Sequence, residues 1–238
     1  MLLILIKTIL RPCINSREEC SVMLSQSRLD KLVSLCQEMV RTPSLSGHEQ
    51  DLAKLVVSTM EAQGYDEVRV DKYGNVAGRV AGSCGGKRIL FEGHMDHVDI
   101  GDREKWTKEP YGGEVDGGKI HGRGTSDMKG SLAAMIMAGA WLKEDFGGNL
   151  GGDVLVAGSV HEECFEGIAS AEIGRICRPD YVVIGEASHL DLKRGQRGRA
   201  EIALETHGKT AHSSNPDVGI NAVKKMVKAL SAIEAGYS

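Results

Sequence analysis

The 238-residue sequence has no excess of positive charge and no run of basic residues. Its formal net charge is -4 at pH 7, so it offers no electrostatic attraction to nucleic acid or to an acidic membrane surface. We therefore expect no nucleic-acid partner and no membrane partner. We expect the protein to act on a small molecule.

Long apolar runs are also missing. The most apolar stretch, MLLILIKTIL at the N-terminus, is only about ten residues long, whereas a membrane-spanning helix needs roughly 20. No basic segment precedes it and no small-residue cleavage site follows it, which argues against a secretory signal peptide. We interpret residues 1–28 as an N-terminal extension that is disordered or not native to the domain, and we expect a cytoplasmic protein.

The six cysteines include no CxxC pair and stand far apart in the sequence. This spacing excludes a zinc ribbon and a dense disulfide framework. We predict that all six are reduced thiols. The sequence also contains no internal repeat and no low-complexity tract.

Segments with helical periodicity alternate with short apolar segments of strand length. The spacing predicts helices over 29–42, 46–63, 126–144 and 167–177. The predicted strands are EVRVD, NVAGRVA, KRILFEG, GDVLVAGSV and DYVVIGE. This alternation is typical of an α/β domain with a mostly parallel sheet that is buried on both faces.

The pattern changes after Asp191. The segment RGRAEIALETHG alternates like a half-exposed strand, and INAVKKMVKALSAIEA is an amphipathic helix. We assign residues 29–193 to the first part of the α/β domain. Residues 194–238 are assigned to the beginning of a smaller α+β domain, which we expect to be incomplete.

Acidic and imidazole side chains lie at the ends of three predicted strands. His94 and Asp96 follow the third strand, Glu162 and Glu163 follow the fourth, and Glu186 ends the fifth. Ligands of open α/β sheets bind outside the carboxyl ends of the strands, so we expect these groups to meet at one edge. Asp127 lies in GRGTSDMKG, where glycines allow a tight turn before the longest helix.

Each of these residues has an ordinary structural explanation when taken alone. Asp127 could be a helix N-cap, and Glu162 and Glu163 could form a solvated turn. Together, a histidine and several carboxylates make the mixed nitrogen and oxygen ligand set that zinc or a similar divalent ion prefers. One carboxylate of such a set can bridge two ions.

Five motifs occur in the order and at the spacing found in one known family. GHMDHV resembles its GHxDxV signature, GRGTSDMKG resembles GRGxxDxKG, and HEE, IGEAS and RGQRG follow. Over roughly residues 29–238 the chain is similar to the M20 family of metallopeptidases and deacylases. That family includes acetylornithine deacetylase, succinyl-diaminopimelate desuccinylase, aminoacylase 1 and carboxypeptidase G2. GEASHLDLKRGQRG also resembles the branch of selenium-metabolism-linked hydrolases.

The resemblance implies a three-layer, zinc-peptidase-like catalytic domain followed by a smaller domain that serves as lid and dimer interface. It also implies two divalent metal ions, zinc or alternatively cobalt. His94 and Glu186 would bind one ion. Glu163 would bind the other, and Asp127 would bridge both. The family also has a cis peptide bond after the bridging aspartate, here between Asp127 and Met128.

The implied reaction is hydrolysis of an amide bond in a small N-acyl amino acid or peptide. Glu162 would be the general base that takes a proton from the attacking water and returns it to the leaving amine. Asp96 would orient His94 without binding metal. His212 would reach the substrate from the smaller domain, often across a homodimer, and stabilise the oxyanion. Arg197 is a candidate to bind a substrate carboxylate.

Members of this family are longer and supply a final metal-binding histidine from a later segment. The second metal site is therefore expected to be incomplete within the 238 residues, with one ion held by His94, Asp127 and Glu186. We expect either a fragment or a truncated product with little activity of its own. The alternative is a catalytically inactive binding or dimerisation fragment that retains the fold.

Other polar residues near the motifs have structural interpretations. His97 and Asp99 are expected to be bystanders, with His97 packed or facing solvent. Lys129 and Arg123 are expected to pair with nearby carboxylates.

Overall fold

The computed structural model describes residues 24–147, 149–165 and 167–237. The chain forms two compact units, one ending at Leu192 and the other beginning at Lys193. Most of the predicted N-terminal extension, residues 1–23, lies outside the described residues. Within the described part of the chain, no helix has the length and apolar character needed to cross a membrane.

The described residues form five α-helices. These are α1 (Gln26–Arg41), α2 (Gln50–Ala62), α3 (Gly130–Phe146), α4 (Ile168–Cys177) and α5 (Ala222–Gly236). Helix α1 begins before the predicted start at residue 29 because Ser25 Oγ accepts the backbone N–H of Arg28 and caps the helix. Helix α2 begins later than predicted because Gly47 has a left-handed backbone, with φ of +87°, which a helix cannot contain.

Seven strands complete the described elements. They are β1 (Glu67–Val70), β2 (Val76–Val80), β3 (Ile89–His94), β4 (Glu114–Asp116), β5 (Lys119–His121), β6 (Val154–Ser159) and β7 (Tyr181–Ile184). Five of them form one sheet in the order β1-β2-β6-β3-β7. Strand β3 pairs parallel with both β6 and β7, and β2 pairs antiparallel with both β1 and β6. Only β2 therefore runs against the other four, and the prediction of a mostly parallel α/β sheet is confirmed.

The strands β4 and β5 form a separate two-stranded hairpin that the sequence did not indicate. Each is three residues long, too short to show an alternating pattern.

Helices cover both faces of the sheet at its central strands, whereas β7 at the edge is mostly exposed, so the prediction of burial on both faces is wrong for that strand. Every residue of the central strands β3 and β6 is buried. Phe91 of β3 packs in the larger core, which includes Leu132 and Ile136 of α3. Leu90 points to the opposite face and packs in a second cluster that includes Ile173 of α4. This gives the three layers that the resemblance implied, and it fixes the carboxyl ends of β3 and β6 side by side.

The prediction of six reduced thiols is wrong at Cys84, which is disulfide-bonded. Cys36, Cys164 and Cys177 are free. Cys13 and Cys20 lie outside the described residues. The spacing of cysteines in a sequence does not determine which of them form a disulfide.

The second unit contains α5 and little other regular structure among its described residues. Asn221 Oδ1 accepts the backbone N–H of Lys224 and caps α5 at the start of the predicted amphipathic helix. The strand predicted in RGRAEIALETHG is not formed, and the residue that follows this segment, Lys209, makes only an isolated bridge to Ile220. A strand needs a paired neighbour, and an alternating sequence alone does not supply one.

Candidate metal centre

His94 ends the central strand β3 and is 1% exposed. Its Nδ1 lies 2.9 Å from the backbone carbonyl oxygen of Asp96, so Nδ1–H donates to that carbonyl. This hydrogen bond turns Nε2 toward two carboxylates, at 2.9 Å from Asp127 Oδ1 and 3.4 Å from Glu186 Oε1. Gly93 precedes the histidine because a Cβ there would lie 2.5 Å from Met128 Cε. The glycine lets the turn that carries Asp127 pack directly on the strand.

Asp127 lies in an irregular turn, Thr125–Lys129, that leads into α3. Gly124 starts the turn with a left-handed backbone at φ of +74°, which glycine adopts without strain. The peptide bond between Asp127 and Met128 is cis, as the resemblance implied. Met128 and Lys129 are buried, whereas the side chain of Asp127 is 59% exposed. The turn therefore anchors its end in the core and presents the carboxylate at the surface.

The structure brings the predicted metal ligands together in two overlapping groups. His94, Asp127 and Glu186 each offer a ligand atom, and these atoms lie within 4.8 Å of one another. His94, Glu162 and Glu163 form a second group on the same criterion. One imidazole nitrogen and several carboxylate oxygens at this separation fit a divalent ion such as zinc.

The charges of the metal-free cluster are unbalanced in favour of a cation. Burial raises the pKa of Glu163, and the charge of Asp127 raises it further. Burial also raises the pKa of Glu186, and although His94 opposes the shift, Asp127 adds to it. Burial acts to lower the pKa of His94, but Asp96, Glu186 and Asp127 outweigh that effect and raise it to about 10. The cluster thus combines several carboxylates with one histidine. A bound divalent cation would neutralise the excess negative charge.

Asp96 is fully buried and supports the centre without facing it. Its Oδ1 accepts the backbone N–H of Glu162 at 3.1 Å, and its Oδ2 accepts that of Glu163 at 3.1 Å. Ser46 Oγ donates to Oδ2 at 2.6 Å. Burial acts to raise the pKa of Asp96, but these donors and His94 together lower it to about 2. The predicted orienting residue of His94 therefore also fixes the turn that carries the predicted general base.

The sequence pattern missed the segment 44–49, which lies against the same edge. Ser44 Oγ donates to the carbonyl oxygen of Met95 at 2.7 Å, and Ser46 bonds Asp96. Glu49 is 3% exposed, and its Oε1 accepts the backbone N–H of His161 at 3.0 Å. The spacing predicts a helix over 46–63, so Ser46 and Glu49 read as the first turn of that helix and Ser44 as part of the linker before it. The spacing gives these residues no role at the sheet edge, and the one available signal is the pair of serines, Ser44 and Ser46, followed by the acid Glu49.

Lys129 does not pair with a carboxylate, so that expectation is wrong. Its Nζ is buried and donates to the backbone carbonyl oxygens of Met39 at 3.0 Å and of Thr42 at 2.8 Å. Burial lowers the pKa of Lys129 to about 7. The lysine thus ties the turn of Asp127 to the carboxyl end of α1, where the last carbonyl groups lack the N–H partners that a continuing helix would provide. Arg123 also lacks the expected partner, and its guanidinium lies 5.0 Å above the ring of Trp106.

Neither His97 nor Asp99 belongs to the ligand groups of the described residues, and His97 is packed, one of the two placements expected for it. His97 is buried, donates from Nδ1 to the carbonyl oxygen of Val98 and accepts at Nε2 from the backbone N–H of Ser44. Both ring nitrogens are therefore occupied. Asp99 is exposed and accepts the backbone N–H of Gly101 at 2.6 Å.

The two predicted substrate-binding residues lie in the second unit. Arg197 is exposed. His212 is partnered locally by Ser214 Oγ at 2.8 Å. Their contact with a substrate stays a prediction.

Comparison with known proteins supports the same assignment. The sequence profile of peptidase family M20/M25/M40 matches residues 90–236. The Escherichia coli (strain K12) protein named "Uncharacterized protein YgeY" is 37% identical over 192 residues, which are 80% of this chain and 47% of that protein. The chain therefore spans about half the length of the curated relatives it matches.

Solved structures share the fold at lower identity. Human carnosine dipeptidase 1 has a TM-score of 0.57 and 21% identity, over 66% of this chain and 38% of that one. The M20 family metallo-carboxypeptidase Sso-CP2 from Sulfolobus solfataricus has a TM-score of 0.54 and 20% identity, over 68% and 37% of the two chains. Aminopeptidase PepT from Bacillus cereus has a TM-score of 0.52 and 22% identity, over 85% and 56%. The profile covers more than half of the chain, and so the chain belongs to peptidase family M20/M25/M40.

Proposed function

We propose that the protein is a metal-dependent hydrolase that cleaves an amide bond of a small N-acyl amino acid or peptide. The supporting observation is that His94, Asp127 and Glu186 converge at the carboxyl ends of the strands, beside the acidic pair Glu162 and Glu163. Peptide-like substrates agree with the names of the similar structures, which include a dipeptidase and a metallo-carboxypeptidase.

The proposed cofactors are two divalent ions, zinc or alternatively cobalt. His94 and Glu186 would hold one, Glu163 the other, and Asp127 both. Divalent ions in such a site polarise the substrate carbonyl and lower the pKa of water. The donor set supports this assignment, because it combines one imidazole with carboxylates whose pKa values are raised by burial and by one another.

Glu162 is the proposed general base. Its backbone is fixed by Asp96, and its side chain shares a ligand-sized space with His94 and Glu163. A carboxylate beside the reacting water can take its proton and later return it to the leaving amine. Because Glu163 is the proposed ligand, the two neighbouring acids divide binding and proton transfer between them.

The test is the Glu162→Gln variant of the protein as its full gene encodes it. We expect hydrolysis of N-acetyl amino acids, N-succinyl amino acids or dipeptides to fall by at least about 100-fold, the usual contribution of a general base. The content of zinc or cobalt should stay unchanged. Asp99→Asn, which alters an exposed acid in the loop after β3, is the control and should retain activity.

If the wild-type protein hydrolyses none of these substrates, the proposal is contradicted. That result would favour the alternative, a catalytically inactive binding or dimerisation fragment. Unchanged hydrolysis by Glu162→Gln would leave the enzyme class intact and remove Glu162 as the base.

The second unit is the proposed dimerisation element, with His212 and Arg197 as its proposed substrate contacts. One face of α5 supports this role, because the apolar residues Val223, Val227 and Leu230 recur at helical spacing and are all exposed. Sedimentation analysis at several protein concentrations would detect the dimer, and a monomer throughout would exclude it.

A further inference from the structure

The turn after β6 is held by an unusual series of hydrogen bonds. Four successive backbone N–H groups donate to side-chain oxygens: Val160 to Asn75 Oδ1, His161 to Glu49 Oε1, Glu162 to Asp96 Oδ1 and Glu163 to Asp96 Oδ2. The distances are 2.9, 3.0, 3.1 and 3.1 Å. The segment that carries Glu162 and Glu163 is therefore positioned by three buried side chains that belong to other parts of the chain.

Glu49 is the member of this series without an ordinary explanation. It occupies the N-cap position of α2, yet its side chain makes no capping hydrogen bond to that helix. Instead Oε1 accepts the N–H groups of Gly47 and His161. Among the ion pairs of the described residues none involves Glu49, although the residue is 3% exposed. A buried carboxylate is costly unless its hydrogen bonds compensate, and here one bond is local, from Gly47, and the other comes from the turn after β6.

The backbone at His161 shows why such support is needed. Its φ is +58°, in the left-handed region that residues other than glycine seldom adopt. This conformation reverses the chain directly before Glu162 and Glu163. It persists only where surrounding contacts determine it, and the N–H of His161 is the group that Glu49 binds.

We propose that Glu49 is a positioning residue that holds His161 in this conformation and thereby aims Glu162 and Glu163 at the metal centre. The inference rests on the proposed function where it names these two acids as general base and ligand. The hydrogen-bond arrangement itself does not depend on that function. In the described part of the chain a cavity of about 400 Å³, lined by Glu49, Val57 and Val160 among others, lies beside the turn, so a turn released from Glu49 has space to move.

Two substitutions separate the reach of the side chain from its charge. Glu49→Asp keeps the charge and shortens the side chain by one methylene group, so the carboxylate no longer reaches the N–H of His161. Glu49→Gln keeps the reach and an acceptor oxygen but removes the charge. Asp153→Asn is the matched control. Asp153 is a buried acid that directly precedes β6, at the end of the strand opposite to the turn, and it pairs with Arg79.

The primary measurement is amide hydrogen exchange of residues 160–163 in the metal-free protein. We expect Glu49→Asp to speed exchange of the His161 amide by about tenfold or more, and Glu49→Gln to change it by less than about threefold. Asp153→Asn should leave the ratio of exchange in the turn to exchange in β6 unchanged. Equal exchange in Glu49→Asp and wild type would overturn the inference, whatever the enzyme does.

The second measurement concerns the metal centre and hydrolysis. Glu49→Asp should weaken the affinity for cobalt by about 10-fold and alter the absorption spectrum of bound cobalt. Glu49→Gln should keep the cobalt affinity and the spectrum of the wild type. For an active protein, kcat should fall by about 10-fold with little change in KM, since misplacement of a base costs turnover more than binding. Altered exchange without any hydrolysis by the wild type would preserve the positioning role and reject the proposed function. Altered exchange with unchanged cobalt spectrum and unchanged kcat would reject the positioning role.

Discussion

The strands β3 and β7 are parallel neighbours that both lead into a proposed metal ligand, yet their ends are built differently. His94 at the end of β3 is 1% exposed, and Asp96 beside it is fully buried. Strand β7 forms the edge of the sheet in the described residues, and the side chain of Glu186 after it is 45% exposed. One side of the centre is thus fixed by burial and hydrogen bonds before any ion binds, and the other side depends on the ion to place it.

Replacing the ligand on the fixed side should have the largest effect. We expect His94→Ala to reduce zinc or cobalt affinity by more than about 100-fold, beyond the roughly 10- to 100-fold that residues supporting a ligand usually contribute. Isothermal titration with the metal measures the loss. If His94→Ala keeps its metal while Glu186→Ala loses it, the exposed edge and not the buried strand holds the ion, and the comparison is reversed.

Replacing the support on the fixed side should have an intermediate effect. Asp96→Asn places an amide where two backbone N–H groups require acceptors, so we expect a loss of about 2 kcal/mol in the free energy of unfolding. The folded-state pKa of Asp96, about 2, lies below its ordinary value of 3.8. The stabilising contribution is therefore complete above about pH 4 and is lost as the pH falls toward 2.

Urea denaturation of the metal-free wild type and Asp96→Asn between pH 2 and pH 6 tests this sign. The difference between them should be constant at the upper end of the range and should shrink at the lower end. A difference that grows on acidification would show that the carboxylate is not stabilised by its donors.

Replacing the ligand on the exposed side should have the smallest effect. Glu186→Ala removes one carboxylate that is partly in solvent, and we expect metal affinity to fall by about tenfold or less. The thermal midpoint of the metal-free protein should stay within about 2 °C, because exposed substitutions rarely change stability by more than about 0.5 kcal/mol. A clear loss of metal-free stability would show that β7 is fixed as firmly as β3.

Apolar strand length and the polar residues that follow it predicted much of the fold and of the centre. The run KRILFEG ended at His94 as expected, and GDVLVAGSV and DYVVIGE placed Glu163 and Glu186 at the same edge. The first two predictions succeeded because β3 and β6 are buried on both faces, and such strands leave a strong apolar signal. Strand β7 is mostly exposed at the edge of the sheet, but its apolar run still marked a strand, and the carboxyl end of such a strand has a known place in the fold.

The supporting residues were not predictable in the same way. Ser46 and Glu49 act through hydrogen bonds to residues 50 and 112 positions further along the chain. Such distant pairings leave no local pattern in the sequence. Lys129 was assigned to carboxylates because lysine usually pairs with acids at surfaces, whereas its partners here are carbonyl groups at the end of a helix. The strand predicted in the second unit failed for the related reason that pairing is not a local property.

The bond from Lys129 to the carbonyl groups of Met39 and Thr42 has a practical consequence for where the chain can be shortened. A version that begins after Thr42 would lose α1 and both acceptors, and would leave an ammonium group without partners behind Asp127. Removal of residues before Ser25 keeps the cap of α1 and these acceptors intact. The first helix therefore belongs to the smallest piece of this protein in which the turn that carries Asp127 keeps its support.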